Sequence, residues 1–199
     1  MTGNIYERLI TYDLKDVSKL KGELAESWTA GADGKTYTFK MRKGIKFHSG
    51  NPVTAQDAAY SLQRAVIMNK TPGSSSPSSA SPRRTRKEKI RATDDQTLVI
   101  ETGEAVAPTF FYYCLTAVIG GMVDMKTVQS HEKDGDFGNE WLKTNSAGSG
   151  PFKLDQLEGE GVLHPRALGR VLGHEGAAAP RGRPPRAGGR DPAPPPREG

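Results

Sequence analysis

The chain has 199 residues, enough for a domain with a real core, yet only 35% are hydrophobic and 7% aromatic, against 23 Gly and 14 Pro. The shortfall is local: residues 165–199 hold eight Pro, seven Gly, seven Arg and six Ala with no aromatic residue, a composition that excludes a packed core there. The same stretch supplies most of the net charge of +5, so the rest of the chain is nearly neutral and lacks the basic surface that nucleic-acid binding requires.

A single cysteine excludes an internal disulfide. The apolar neighbours of Cys114 predict a buried structural thiol rather than a nucleophile. No signal peptide is visible at the start, where Met1 leads into Thr2, Gly3 and Asn4 instead of a basic and then apolar run. The most apolar stretch, 110–123, contains Gly120 and Gly121 and is too short to span a bilayer.

In chain order, residues 4–12 carry Ile5, Leu9 and Ile10 with Tyr6 and Tyr12, and predict a short helix. Residues 26–30 and 36–41 flank a Gly-bearing loop at 31–35 and read as a hairpin, with Tyr37, Phe39 and Met41 on one face of the second strand. A third short strand is expected at 45–48. Thr54, with Asp57 three residues on, then starts a helix whose stripe is Ala58, Leu62, Ala65 and Val66. Residues 89–92 and 97–101 bracket the polar turn 93–96 as a second hairpin. A buried helix at 110–115, a short helix at 124–131 and a strand at 150–157 complete the reading. Hairpins mixed with helices give a mixed α/β (α+β) fold.

Two stretches break the pattern. Residues 74–86, SSSPSSASPRRTR, interrupt a good helix and a good strand with a polar loop, and 164–199 read as a disordered tail. A shift of reading frame predicts both. Codons exist for 74–85 that, read one base earlier, give Phe-Ile-Leu-Thr-Gln-Phe-Gly-Phe-Thr-Pro-Glu-Asn. Others exist for 171–176 that, read one base later, give Tyr-Trp-Gly-Thr-Lys.

The runs NIYERLITYD at 4–13 and LAESWTAGADGKTYTFKMRKGIKFHSGNPVTAQDAAYSLQRA at 24–65, followed by IRATDDQTLVIET at 90–102 and GSGPFKL at 148–154, resemble the peptide, dipeptide and nickel-binding solute-binding proteins of ABC importers (family 5). The resemblance implies part of a type II periplasmic-binding-protein fold: an extra domain over most of 24–115, pieces of the first lobe at 4–12 and near 150–157, and no counterpart of the second lobe. The domain reading is thus 1–163 as a partial solute-binding domain and 164–199 as tail. The implied function is binding of peptides or a related solute outside the membrane for delivery to ABC permease subunits, by a monomer, with this copy impaired.

The residues agree by what they lack. His48, His131, His164 and His174 show no metal-ligand spacing, and His131-Glu132 has no second histidine after it. Ser149 lacks the glycine spacing of a nucleophile elbow and reads as a tight turn into a strand. No enzyme activity, metal or cofactor is expected, and no ligand-contacting residue is assigned. Tyr6, Tyr12 and Trp28 read as packing aromatics, and Lys43, Lys46 and His48 as a solvated strand face. A second reading makes Arg181, Arg183, Arg186 and Arg190 a flexible phosphate-binding arm. With no interleaved aromatics there and no basic excess in the body, nucleic acid is not the expected partner.

Overall fold

In a computed structural model the described residues are 2–13, 15–68, 89–117, 120–158 and 162–167. The loop expected at 74–86, His174 and the four arginines of the proposed arm lie outside them.

The core is organised by β4 (Thr36–Met41), in which Tyr37, Phe39 and Met41 are buried while Lys40 is exposed. A strand repeats every two residues, so this sequence can bury one face only. β3 (Ala25–Ala30) and β6 (Thr97–Glu101) pair with β4 on either side, and β5 (Ile90–Asp94) completes an antiparallel sheet of order β3-β4-β6-β5. The register sets Phe39 opposite Trp28 and Leu98, and Tyr37 opposite Ile100. Burying side chains such as Tyr37, Phe39 and Leu98 contributes roughly 1.5–3 kcal/mol each.

Both hairpins follow the sequence reading. Between β3 and β4 the Asp33 carboxylate accepts from the Lys35 and Thr36 amides and the Thr36 hydroxyl, and Gly34 supplies a φ of 62°. β5 and β6 are joined at Asp95 and Gln96, where the Gln96 amide donates to Asp94.

α2 (Ala55–Met68) starts as expected. The Thr54 amide and hydroxyl donate to the Asp57 carboxylate at 3.0 and 2.6 Å, and the Asp57 amide approaches the Thr54 hydroxyl at 3.4 Å. This is a capping box with Asp in the place of Glu. Ala58 and Leu62 face the core as part of the stripe, and the helix packs on β5 and β6.

Three expectations are corrected. Residues 4–12 are not one helix: α1 (Thr2–Ile5) is a single turn, and β1 (Ile10–Tyr12) pairs with β2 (Leu20–Gly22). Pairing across the chain outweighed a weak helical stripe. Residues 45–48 form no strand but one bridge, Lys46 to Pro52, because Gly44 and Gly50 at φ 77° and 93° turn the chain back. The helix at 110–115 exists as α3 (Pro108–Leu115), but none of its residues is buried, and Phe110 is 65% exposed. It lies on the surface, with Phe111 stacked on Tyr37 at 3.8 Å and Tyr112 edge-on to Trp28 and Phe39 at 6.3 Å. Cys114 on its outer side is exposed, not a buried thiol.

α4 (Met125–Ser130) and β7 (Phe152–Glu158) match the expected short helix and strand. β7 pairs with β8 (Val162–Ala167), which places His164 in a strand.

Removing the Phe39 ring by Phe39→Ala is expected to cost about 3–5 kcal/mol, and removing the cap by Thr54→Ala about 1 kcal/mol, measured by urea unfolding. A Phe39→Ala loss no larger than that of Thr54→Ala would contradict the sheet as the organising core.

Candidate functional site

Three stretches distant in sequence, 4–12, 116–117 with 120–124, and 147–151, meet beside the sheet. The Met122 amide donates to the Glu7 carbonyl, the Gly150 amide to the Ile5 carbonyl and the Asp124 amide to the Ala147 carbonyl, each at 2.9 Å. The contact is close because the third segment lacks side chains: a Cβ on Gly148 or Gly150 would strike the backbone of Asn4 and Ile5. Arg8 ties the first segment to the second, donating to the Glu23 carboxylate at 3.3 Å, the Thr11 hydroxyl at 2.9 Å and the Thr116 carbonyl at 2.7 Å.

Two buried carboxylates join this junction to α2 and to the loop before it. Asp124 has no exposed surface; it accepts from the Ser49 hydroxyl at 2.5 Å, the Asn51 side-chain Nδ2 at 2.8 Å and the Thr127 hydroxyl at 2.6 Å, while capping α4. Burial alone would raise its pKa, but these donors together outweigh burial and hold it below the ordinary 3.8. Asp57, beyond capping α2, accepts from the Met125 amide at 3.0 Å. One carboxylate therefore serves both helix starts.

Most of the residues singled out in the sequence land where their chemistry placed them. Tyr6 is half-buried in a second cluster with Tyr60, Val123 and Val128, and burial raises its pKa. Tyr12 stacks on Tyr113 at 5.7 Å. Lys43 and Lys46 are exposed. His48 is not on a solvated face, for its amide and its ring Nε2 bind the Gly148 and Gly150 carbonyls at 2.9 and 2.8 Å. Ser149 is fully buried, and its hydroxyl has no hydrogen-bond partner. The His131 ring stacks on Trp141 at 4.3 Å, with Nδ1 on the Thr127 carbonyl at 2.8 Å. Among the described residues no group of three His, Cys, Asp or Glu could hold a metal ion.

A groove of about 450 Å³ opens between α2, β5 and the segment from α4 to Phe137, lined in part by Tyr60, Arg64, Arg91 and Glu132. Its cations are engaged: Arg64 Nε donates to the Phe137 carbonyl at 2.8 Å, and Arg91 pairs with Glu101 at 2.5 Å. The groove therefore presents mixed charge, with the Arg64 and Arg91 cations and the Glu132 carboxylate in its lining. No local run of residues signals it, because its walls come from segments far apart in the chain.

Comparisons with known proteins agree with this architecture. The family model described as "Bacterial extracellular solute-binding proteins, family 5 Middle" matches residues 19–163. The "Probable D,D-dipeptide-binding periplasmic protein DdpA" of Escherichia coli (strain K12) is 32% identical over 152 residues, 75% of this chain and 27% of that protein. Among solved structures, the periplasmic binding protein DppA of Helicobacter pylori in complex with peptide STSA aligns with a TM-score of 0.66 at 25% identity, covering 86% of this chain and 35% of that one. The dipeptide binding protein of Pseudoalteromonas sp. SM9913 in complex with Met-Leu shares the fold at a TM-score of 0.68 and 19% identity, over 87% of this chain and 36% of its own. The chain belongs to the family 5 extracellular solute-binding proteins, with the mixed α/β fold of type II periplasmic binding proteins. It spans about a quarter of the first curated relative and about a third of the solved ones.

Two outcomes follow. Asp124 has a folded pKa below its unfolded value, so its contribution is present above pH 3.8 and lost as pH falls through the folded value. In acid unfolding followed by circular dichroism, Asp124→Asn should therefore flatten this limb, and at neutral pH it should cost about 2 kcal/mol or more. An acid limb as steep as that of the unsubstituted chain would contradict this. Exposed Cys114 should react with a thiol reagent in the native chain at a rate within about tenfold of the urea-unfolded chain; native protection of a hundredfold would return it to a buried site.

Proposed function

We propose that this chain is part of a solute-binding component of an ABC importer that takes peptides, working outside the cytoplasmic membrane and handing its solute to permease subunits as a monomer. The match of residues 19–163 to the family carries this reading, and the names of the relatives, which speak of dipeptides and peptides, supply the solute class. The domain division at 163 and the assignment of β3, β4, α2, β5, β6 and α3 to the extra domain of larger members belong to the same proposal. So does the junction of 4–12, 120–124 and 147–151 as first-lobe material.

In a clamp of this kind affinity comes from closing protein around the ligand, which excludes water and pairs the ligand's polar ends. The 199-residue chain, holding pieces of one side, binds its solute weakly by itself. No catalytic step enters the proposal, since the buried Ser149 hydroxyl faces no base.

A chimaera tests the reading with a positive signal: residues 19–163 replace the matching stretch of the Escherichia coli dipeptide-binding protein, which is 26% identical over 182 residues. If the chimaera folds by circular dichroism, dipeptide affinity measured by calorimetry should stay within about tenfold of the parent, or about 1.4 kcal/mol. A folded chimaera with no measurable dipeptide binding would overturn the assignment of this segment to a peptide carrier.

A further inference from the structure

We propose that His48 is an acid-sensitive pin, holding the entry to β7 against the loop at 45–53 while its imidazole is neutral and releasing it when the ring takes a proton. This goes beyond solute binding and does not depend on which solute is carried.

The geometry fixes the tautomer. The His48 amide donates to the Gly148 carbonyl at 2.9 Å, and ring Nε2 lies 2.8 Å from the Gly150 carbonyl. A carbonyl only accepts, so Nε2 carries the hydrogen and Nδ1 of the neutral ring is the bare acceptor. Nδ1 is buried and has no hydrogen-bond partner. That arrangement is tolerable for a lone pair. It is costly for the imidazolium, whose Nδ1–H would be a charged donor facing no acceptor.

The turn cannot follow the ring if it moves. On its other side the Gly150 amide is bound to the Ile5 carbonyl, and Gly148 and Gly150 leave no space for even a methyl group against Asn4 and Ile5. The residues from 148 to 150 are held between His48 and α1, and β7 begins two residues later. Around the ring, the charged group that shifts it is Lys153 of β7, which opposes a second positive charge. Lys46 of the same loop is exposed. Asp124, reached through Ser49, is occupied by Ser49, Asn51 and Thr127, and neither it nor buried Glu7 of the first segment shifts the ring.

Burial holds the imidazole below its ordinary 6.5, and Lys153 pushes the same way, against the opposing pull of the Gly150 carbonyl. With the folded value depressed, the stabilising contribution is complete above pH 6.5 and is lost as pH falls through the folded value.

The test is a proton NMR titration of the 199-residue chain between about pH 8 and pH 4.5, following the His48 ring carbon-bound protons, assigned through bonds from the backbone of the isotope-labelled unsubstituted chain. The ring should titrate below the ordinary value, and the Gly150 and Phe152 amide signals should shift with the same midpoint. Titration at or above the ordinary value, or β7 amides that ignore it, would overturn the pin. Glutamine keeps an N–H within reach of the carbonyl but has no proton to gain. Between about pH 7.5 and pH 5 the melting temperature of the unsubstituted chain should therefore fall several degrees further than that of His48→Gln. An equal fall would also overturn it. The ring and amide midpoints decide the matter from the unsubstituted chain if the variant fails to fold.

Discussion

The structure depends first on the burial of one face of β4. Tyr37 and Phe39 have no exposed surface and Met41 almost none. Because side chains alternate along a strand, no other register keeps all three inside. That constraint fixes the neighbours: Leu98 and Ile100 must oppose them from β6, Trp28 from β3, and the rings of Phe111 and Tyr112 must close the face from α3. α2 covers β5 and β6 from its capped start.

The remaining segments join this core through buried Leu9, Ile10 and Met122 and, beside them, through main-chain hydrogen bonds and buried carboxylates. The contacts of Glu7 with Met122, Ile5 with Gly150 and Ala147 with Asp124 are main-chain hydrogen bonds, and Asp57 and Asp124 collect donors from both sides of the junction. Such a junction is specific but sensitive, since each lost donor leaves a buried charge short of partners. Its closeness to Asn4 and Ile5 requires glycine at 148 and 150. The serine between them, read in the sequence as part of a turn, is fully buried.

Much of this was legible in the sequence, and the parts that were not share a cause. The two hairpins, the capping pair Thr54 and Asp57 and the short helix after Asp124 are encoded within a few residues, so local pattern and turn chemistry find them. β1 and the exposure of Cys114 depend on what lies across the fold. Ile10 and Tyr12 look helical until β2 is beside them. α3 looks buried because it is apolar, yet Phe111, Tyr112 and Leu115 meet the need for cover, leaving Phe110 and Cys114 outside. His48 was read from the basic residues before it, whereas its environment is set by residues a hundred positions later. The family was legible because its residues recur in one long run from 24 to 65; a ligand site built from separated segments leaves no such run.

The central claim is that β4 and β6 form the stable heart of the chain and that the junction segments are held less firmly. Native-state hydrogen exchange of the 199-residue chain measures this directly. Amides of Thr36–Met41 and Thr97–Glu101 should exchange most slowly, with 120–124 and 147–151 opening well before them. Fast exchange throughout β4 and β6, or junction amides protected beyond them, would contradict it.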